Sequence, residues 1–264
     1  NQWGFHDSVL FTKAISAMTE QYWNSPRMDF YLTLSTHDPF DFYGNEAYRN
    51  KIESLLPKFT GEEKNILAMG KGYFSAVSYT DQCIKKLIEM YSKKPGFENT
   101  IFVITGDHSS DYSAAKSFLN KYHVPLIIYS PLLKRGQEFK AVNSHWDIVP
   151  SLLAYLRDNG GIISSDESAF LGDGLDVNKE FRNIHEIPFM LNNRSVNEYL
   201  SKDLFVMDNS LFTLNADLTL TPKENKEELA YLIDGRESFK LLSQYVCNEN
   251  KLMKEESKEG GSKI

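Results

Sequence analysis

The chain has 264 residues, 41% of them hydrophobic and 13% aromatic, so it can bury a full core and is not disordered throughout. A net charge of −7, without any block of lysine and arginine, argues against nucleic acid and against an anionic membrane surface as partners. Two cysteines, Cys83 and Cys247, are too few for a disulfide framework, and a buried apolar role is favoured for Cys83.

The first half of the chain alternates helical and strand patterns. Apolar spacing predicts an amphipathic helix over residues 7–23 and a long helix over about 62–93. Apolar, β-prone runs predict strands at 28–36, 100–105 and 124–129. A strand, a long helix and a second buried strand form a parallel βαβ unit. We therefore expect an α/β fold in which these three strands are neighbours in one mainly parallel sheet with flanking helices.

The composition and the pattern of the chain change near residue 160. Before that point, residues 147–156 are predicted to form a helix, whereas the short strand-like runs that follow predict a small antiparallel region. Two closing helices are expected near 224–233 and 236–249, broken at Asp234-Gly235. The predicted organisation is an α/β domain over 1–160, an antiparallel β region over 161–222, C-terminal helices over 223–250 and a polar tail over 251–264.

An acid and a histidine follow the second predicted strand directly, in Thr105-Gly106-Asp107-His108-Ser109. Open α/β sheets bind ligands beyond the carboxyl ends of their strands, and a carboxylate oxygen with an imidazole nitrogen suits Zn²⁺ or Mn²⁺. Neighbouring residues of a strand point to opposite faces, so Asp107 and His108 can share an ion only where the strand has ended. Gly106 supplies that break. The pair alone also fits an ordinary loop or capping pair.

Two further histidines lie at the ends of predicted elements. His37 comes just past the first predicted strand. If the strands form one parallel sheet, His37 lies at the same edge as the acid–histidine pair, where the carboxyl ends of the strands meet. His145 precedes the predicted helix 147–156, where free N–H groups favour an anion. The alternatives are a turn histidine that bonds the backbone at 37 and a structural role at 145. Asp147 is expected to cap the helix.

These motifs, in this order, resemble the alkaline-phosphatase/sulfatase superfamily. The likeness is greatest to its lipoteichoic acid synthase-like branch of membrane-anchored phosphoglycerol transferases. The likeness covers about residues 1–220. The motifs taken together, in this order, are more specific for the family than any single motif. The matching segments are Trp3–Asp7, Leu34–Phe40, Phe102–Ser109, Val124–Pro131, Ser144–Leu153 and Phe189–Arg194.

The resemblance implies an active site with a divalent cation, whose identity among Mn, Zn, Mg and Ca stays open. It also implies a Thr nucleophile, or in sulfatases a modified Cys or Ser, that forms a covalent intermediate with a phosphate or sulfate ester. Position by position, Asp107 and His108 match the metal ligands. His37 matches the histidine that contacts the charged group of the substrate. His145 stands where relatives often carry Gln or a small polar residue, and it is assigned to substrate binding.

One departure from the family pattern concerns the nucleophile. In the family, the first metal-binding acid and the nucleophile precede the Trp-Gly segment, at which this chain begins. We therefore expect residues 1–160 to be the C-terminal part of the catalytic domain, inactive alone, in an active parent protein. The absent strands belong in the middle of the sheet, so apolar edges and self-association are expected. The resemblance places the domain outside the cytoplasm, with membrane contact only through segments absent here.

Three functional hypotheses compete. The leading one is a module of a hydrolase or transferase acting on a phosphate or sulfate ester, such as an ester on a lipid or a glycan. The second is a non-catalytic binding or structural domain that retains the fold, and the presence of Asp107, His108 and His37 weighs against it. The third is a β-rich extracellular recognition module, which the βαβ pattern over 30–130 disfavours.

Overall fold

The computed structural model describes residues 4–110, 112, 117–160, 170–190 and 195–249, so the polar tail 251–264 and parts of the segment 161–222 lie outside it. The chain forms two compact units, Asn1–Gly136 and Gln137–Ile264. The helices are α1 (Asp7–Ala17), α2 (Glu20–Trp23), α3 (Asn45–Leu55), α4 (Gly61–Met69), α5 (Lys71–Tyr91), α6 (Ile148–Gly160) and α7 (Lys226–Glu249). The strands are β1 (Phe102–Thr105), β2 (Leu126–Tyr129), β3 (Glu186–Met190), β4 (Val196–Ser201), β5 (Leu204–Met207), β6 (Ser210–Leu214) and β7 (Leu220–Lys223). None of the described helices is long and apolar enough to cross a membrane.

The core of the first unit is built on α5. Its buried residues recur at helical spacing, which places one apolar stripe against α1 and α3. Burying each large side chain of such a stripe stabilises the fold by about 1.5–3 kcal/mol. Cys83 lies in this stripe and is buried, as its place in the helical pattern predicted. The buried cluster consists of Phe11, Ile15, Trp23, Phe42, Ala76, Tyr79, Cys83, Leu87 and Tyr91.

The strands β1 and β2 are neighbours, as predicted, but they pair antiparallel and not parallel. Phe102 lies opposite Tyr129, and Thr105 lies opposite Leu126. A parallel pair needs a crossover connection, usually an α-helix. The described part of the connection holds only the short 3-10 helix Leu119–Lys121, and the chain reverses direction within it. The expected parallel order of these two strands is therefore wrong.

The segment 28–36 was predicted to be a strand, and this too is wrong. Its residues 28–34 are extended but do not belong to a described sheet, and exposed Met28, Phe30 and Leu32 alternate with less exposed neighbours. An extended segment becomes a strand only when its backbone groups pair with a neighbouring strand. Near its end, the N–H groups of Leu34 and Ser35 donate to the carboxylate of Asp7 instead.

Three predicted helices also differ from the structure. The helix expected over 7–23 ends at Ala17, and α2 follows it as a separate short helix. The helix expected over 62–93 is divided at Gly70, where a Cβ would lie 2.8 Å from the ring of Phe74. The break expected at Asp234-Gly235 is absent, and α7 is continuous. The ring of Tyr199 packs on Gly235, 3.0 Å from the position of a Cβ, so a larger residue at this point of α7 would be crowded.

The second unit holds the antiparallel sheet that the short strand-like runs predicted. The five strands β3 to β7 follow one another in sequence order as a meander. The helix α7 packs across the middle strands of the sheet, and Leu232 is fully buried against Tyr199, Val206 and Leu211. Ahead of the meander, the 3-10 helix His145–Asp147 leads directly into α6.

Candidate functional site

Asp107 and His108 lie in the loop that follows β1, as the sequence predicted. Gly106 allows the turn out of the strand, since a Cβ there would lie 3.3 Å from Val124 and 3.4 Å from the carbonyl oxygen of His108. The hydroxyl of Ser109 donates to the carbonyl oxygen of Lys121, which fastens the loop just past the pair. The Asp107 and His108 side chains are 74% and 78% exposed, so both are accessible to a ligand.

The side chains of Asp107 and His108 lie close to each other. The Nδ1 of His108 lies 2.7 Å from the carbonyl oxygen of Ser109, so Nδ1 carries the proton and Nε2 carries the lone pair. That Nε2 is 3.8 Å from Oδ2 of Asp107, whose other oxygen accepts the His108 N–H at 3.0 Å. Two ligands of one tetrahedral ion stand about 3.4 Å apart when each is about 2.1 Å from it. The observed separation of 3.8 Å is about 0.4 Å longer than this, so the two side chains would have to move slightly closer to share one ion.

His37 lies at an exposed turn that closes the extended segment. Its N–H donates to the carbonyl oxygen of Leu34 at 3.1 Å, and its own carbonyl oxygen accepts from the Phe40 N–H at 2.9 Å. The Nδ1 of His37 lies 2.6 Å from the carbonyl oxygen of Asp38. As at His108, a neighbouring carbonyl holds the proton on Nδ1 and directs Nε2 away from the backbone.

Aromatic contacts bring the His37 turn and the loop after β1 together. The rings of Phe40 and Tyr112 meet edge to face at 6.0 Å between centroids. Both also contact Tyr73 of α5, at 5.9 Å from Phe40 and in a stacked arrangement at 5.8 Å from Tyr112. Each loop thus carries one ring of a shared aromatic cluster, and convergence of His37 with the acid–histidine pair on one ligand stays a prediction.

A complete metal centre is not formed by these residues. Across the described residues, no three His, Cys, Asp or Glu side chains are grouped closely enough to hold a metal ion. His37 therefore does not join Asp107 and His108 in a group of three possible ligands. A catalytic zinc ion usually has about three protein ligands and a water molecule.

His145 belongs to the second unit, where it is exposed on the 3-10 helix that precedes α6. Ser144 caps this helix, and Asp147 completes a reciprocal capping box with it, as the sequence predicted. Asp147 is buried, and Oδ2 accepts both the N–H of Ser144 at 2.7 Å and its hydroxyl at 3.0 Å. The arrangement fixes the backbone that presents His145.

Sequence reasoning missed His185, which is 4% exposed and lies with its Nδ1 3.4 Å from Oδ1 of Asp147. Its Nε2 has no hydrogen-bond partner within the described part of the chain. No motif surrounds His185 and 38 residues separate it from Asp147, so nothing in the sequence pointed to the pair. The pair borders a cavity of about 400 Å³ that is lined by Ser144, Trp146, Asp147, Leu171, Gly172, Asp173, Ile184, His185 and Glu186.

Comparisons with known proteins identify the chain by family. Residues 1–158 match the model of the sulfatase family. Phosphoglycerol transferase I of Escherichia fergusonii and that of Citrobacter koseri are each 30% identical to the chain over 122 residues. This stretch covers 46% of the chain and 14% of each relative, so the chain spans only a small part of the relatives it matches. These relatives confirm the expected likeness to the phosphoglycerol transferase branch.

One solved structure shares the fold. It is a protein of the alkaline phosphatase superfamily from Vibrio parahaemolyticus, with a TM-score of 0.60 and 17% sequence identity, and the match covers 97% of this chain and 57% of that one. The likeness establishes an α/β fold of the alkaline-phosphatase type. Because the family model covers more than half of its residues, the chain belongs to the sulfatase family.

Proposed function

We propose that this chain is part of a metal-dependent enzyme that acts on phosphate or sulfate esters, with phosphoglycerol transfer as the favoured activity. The observation that carries the proposal is the pairing of Asp107 Oδ2 and His108 Nε2, 3.8 Å apart and exposed just beyond β1, in a chain of the sulfatase family. The names of the phosphoglycerol transferase I relatives favour a phosphate over a sulfate ester.

In this proposal Asp107 and His108 hold a divalent cation, whose chemistry when bound is to polarise an ester oxygen. Mn, Zn, Mg and Ca all remain candidates. His37 binds the charged group of the substrate, and its Nδ1 contact to the Asp38 carbonyl orients the ring for that purpose. His145 is a second substrate-binding candidate, on the fixed backbone that precedes α6.

The remaining ligands and the nucleophile are proposed to come from residues outside these 264. A two-ligand pair leaves an ion short of protein ligands, and the family resemblance assigns the nucleophile to a segment ahead of residue 1. The same resemblance motivates the proposal that the domain is extracytoplasmic in a membrane-anchored protein, with a lipid or a glycan carrying the ester. The exposed apolar residues of the segment 28–34 motivate the proposal that the isolated chain self-associates.

Metal titration tests the ligand pair. Calorimetry with Mn²⁺ and Zn²⁺ on the 264-residue chain should give weak binding that Asp107→Asn removes. Asp158→Asn is the matched control, because Asp158 is a similarly exposed carboxylate, at 64%, beside an Arg. Equal binding by the wild type and Asp107→Asn would contradict the assignment of the ligands.

Ester turnover tests the reaction. The protein in its full natural length should hydrolyse a nitrophenyl phosphate or a phosphoglycerol-bearing lipid, and Asp107→Asn should abolish turnover, whereas the 264-residue chain should be inactive. A preference for nitrophenyl sulfate would identify a sulfatase. Turnover by the short chain, lost in Asp107→Asn, would place the nucleophile within these residues. An inactive full-length protein would favour the non-catalytic domain.

A further inference from the structure

Asp7 is a fully buried acid that binds the backbone leading to His37. Its Oδ1 accepts the N–H groups of Leu34 and Ser35, each at 3.1 Å, and its Oδ2 accepts the hydroxyl of Thr80 at 2.7 Å. These partners lie 27, 28 and 73 residues away in the chain. The carboxylate therefore joins α1, the end of the extended segment and α5 at one point.

The contact between Asp7 and the extended segment is reciprocal. The Asp7 N–H donates to the hydroxyl oxygen of Ser35 at 3.1 Å, and Ser35 is also fully buried. Leu34 is held from both sides, since its N–H donates to Asp7 and its carbonyl oxygen accepts the His37 N–H at 3.1 Å. A continuous path of hydrogen bonds thus runs from the Asp7 carboxylate through one residue to the backbone of His37.

A simple helix-capping role does not explain this arrangement. The cap of α1 is His6, whose side chain makes no capping hydrogen bond, and the carboxylate of Asp7 is directed to distant residues. Burying a charged carboxylate is costly unless hydrogen bonds compensate for it, and here three donors do so. Gly4 adds a second contact at the same place, because a Cβ on it would lie 2.8 Å from Cδ1 of Leu34.

We propose that Asp7 is the positioning residue of the candidate substrate-binding site: its carboxylate sets the place of the His37 turn by holding Leu34 and Ser35. The inference rests on the proposed function, in which His37 binds the charged group of the substrate. It also gives a role to the acid that follows the Trp-Gly-Phe-His segment, which takes no part in the proposed metal site.

Four substitutions separate positioning from general stability. Asp7→Ala removes the acceptor of all three donors. Asp7→Asn is the conservative rescue, since its amide oxygen can still accept both N–H groups while the Thr80 hydroxyl rotates to accept from the amide nitrogen. Thr80→Val removes one donor without a change of shape. Ser8→Ala is the matched control, because Ser8 bonds the Tyr79 hydroxyl at 2.7 Å from the same helix turn without contacting Leu34 or Ser35.

The first measurement does not depend on activity. Amide hydrogen exchange of the 264-residue chain is followed by NMR at a temperature where each variant remains folded. Asp7→Ala should accelerate exchange at His37 by about tenfold or more relative to α5, whereas Asp7→Asn and Ser8→Ala should leave it near the wild-type rate. Should Asp7→Ala not fold, Thr80→Val must show the same effect at a smaller size. An unchanged His37 rate in the folded variants overturns the inference.

The second measurement is a double-mutant cycle on ester turnover by the full-length protein. Asp7→Ala should lower kcat/KM by roughly tenfold to a hundredfold, chiefly through a higher KM, with rescue by Asp7→Asn. In a His37→Ala background the same change should have almost no further effect. Additive effects would make Asp7 merely structural and overturn the inference. Full activity of His37→Ala would instead reject the substrate role of His37, and the exchange rates alone would then decide whether Asp7 places the turn.

Discussion

Replacement of Asp147 by alanine should be among the most destabilising single changes in the second unit. Asp147 is 1% exposed, and its carboxylate accepts from the Ser144 N–H, the Ser144 hydroxyl and the Asp173 N–H, the last at 3.2 Å. His185 adds a contact at 3.4 Å. The alanine variant loses every one of these interactions, while the donors stay where the fold holds them.

The size of the effect follows from the separate interactions. Loss of the Asp147 half of the capping box, in which its carboxylate accepts the Ser144 N–H, costs about 1 kcal/mol. A buried polar group without a partner costs about 1–3 kcal/mol, and the buried His185 loses its contact with the carboxylate. The N–H of Asp173, an exposed residue, adds less. Both residues border the 400 Å³ cavity, so water can enter and offset part of that cost. We therefore expect Asp147→Ala to lower the free energy of unfolding by about 3 kcal/mol, and Asp147→Asn to lower it less.

Urea unfolding followed by circular dichroism measures this change. Asp158→Ala is the control, since this acid of α6 is 64% exposed and pairs only with its neighbour Arg157 within the described contacts. Its effect should stay within about 0.5 kcal/mol. A loss below about 1 kcal/mol for Asp147→Ala, or a loss equal to that of the control, would refute the view that this carboxylate organises the turn carrying His145.

Two further predictions concern close packing and buried charge. Gly172→Ala should destabilise by about 1–3 kcal/mol in the same urea assay, because its Cβ would lie 2.4 Å from the backbone of Trp146, whereas Gly136→Ala, with open space around it, should not. Burial, reinforced by the Asp208 carboxylate, raises the pKa of Glu198. A carboxyl whose pKa is raised by folding lowers the stability of the fold as the pH rises above its unfolded value of about 4.3. Glu198→Gln should therefore be more stable than the wild type at pH 8, by a margin that shrinks toward pH 4; a constant margin would contradict this assignment.

The sequence predicts helices and strands well where their patterns are local, and less well where a contact with a distant residue determines the structure. The apolar stripe of α5 and the antiparallel character of the C-terminal strands follow from local patterns, whereas the division at Gly70 does not. Gly235 was expected to break a helix, but α7 continues through it, and the ring of Tyr199, 36 residues earlier in the sequence, packs where a side chain would lie. The segment 28–34 has the composition of a strand, yet the acceptor for the N–H group that ends it is the side chain of Asp7. The burial of His185 had no sequence signal at all, because its partner is 38 residues away.

The candidate site shows the same difference between local and long-range contacts. The ring orientations of His37 and His108 are set locally, since in each case Nδ1 bonds the carbonyl oxygen of the next residue. This explains how a short motif can identify the two histidines without any knowledge of the fold. The positions of the rings are set by long-range contacts, the Asp7 carboxylate behind one turn and the meeting of Phe40 with Tyr112 between the loops. A substitution at a long-range contact should therefore move a histidine without changing its tautomer, because the carbonyl oxygen that bonds Nδ1 belongs to the neighbouring backbone.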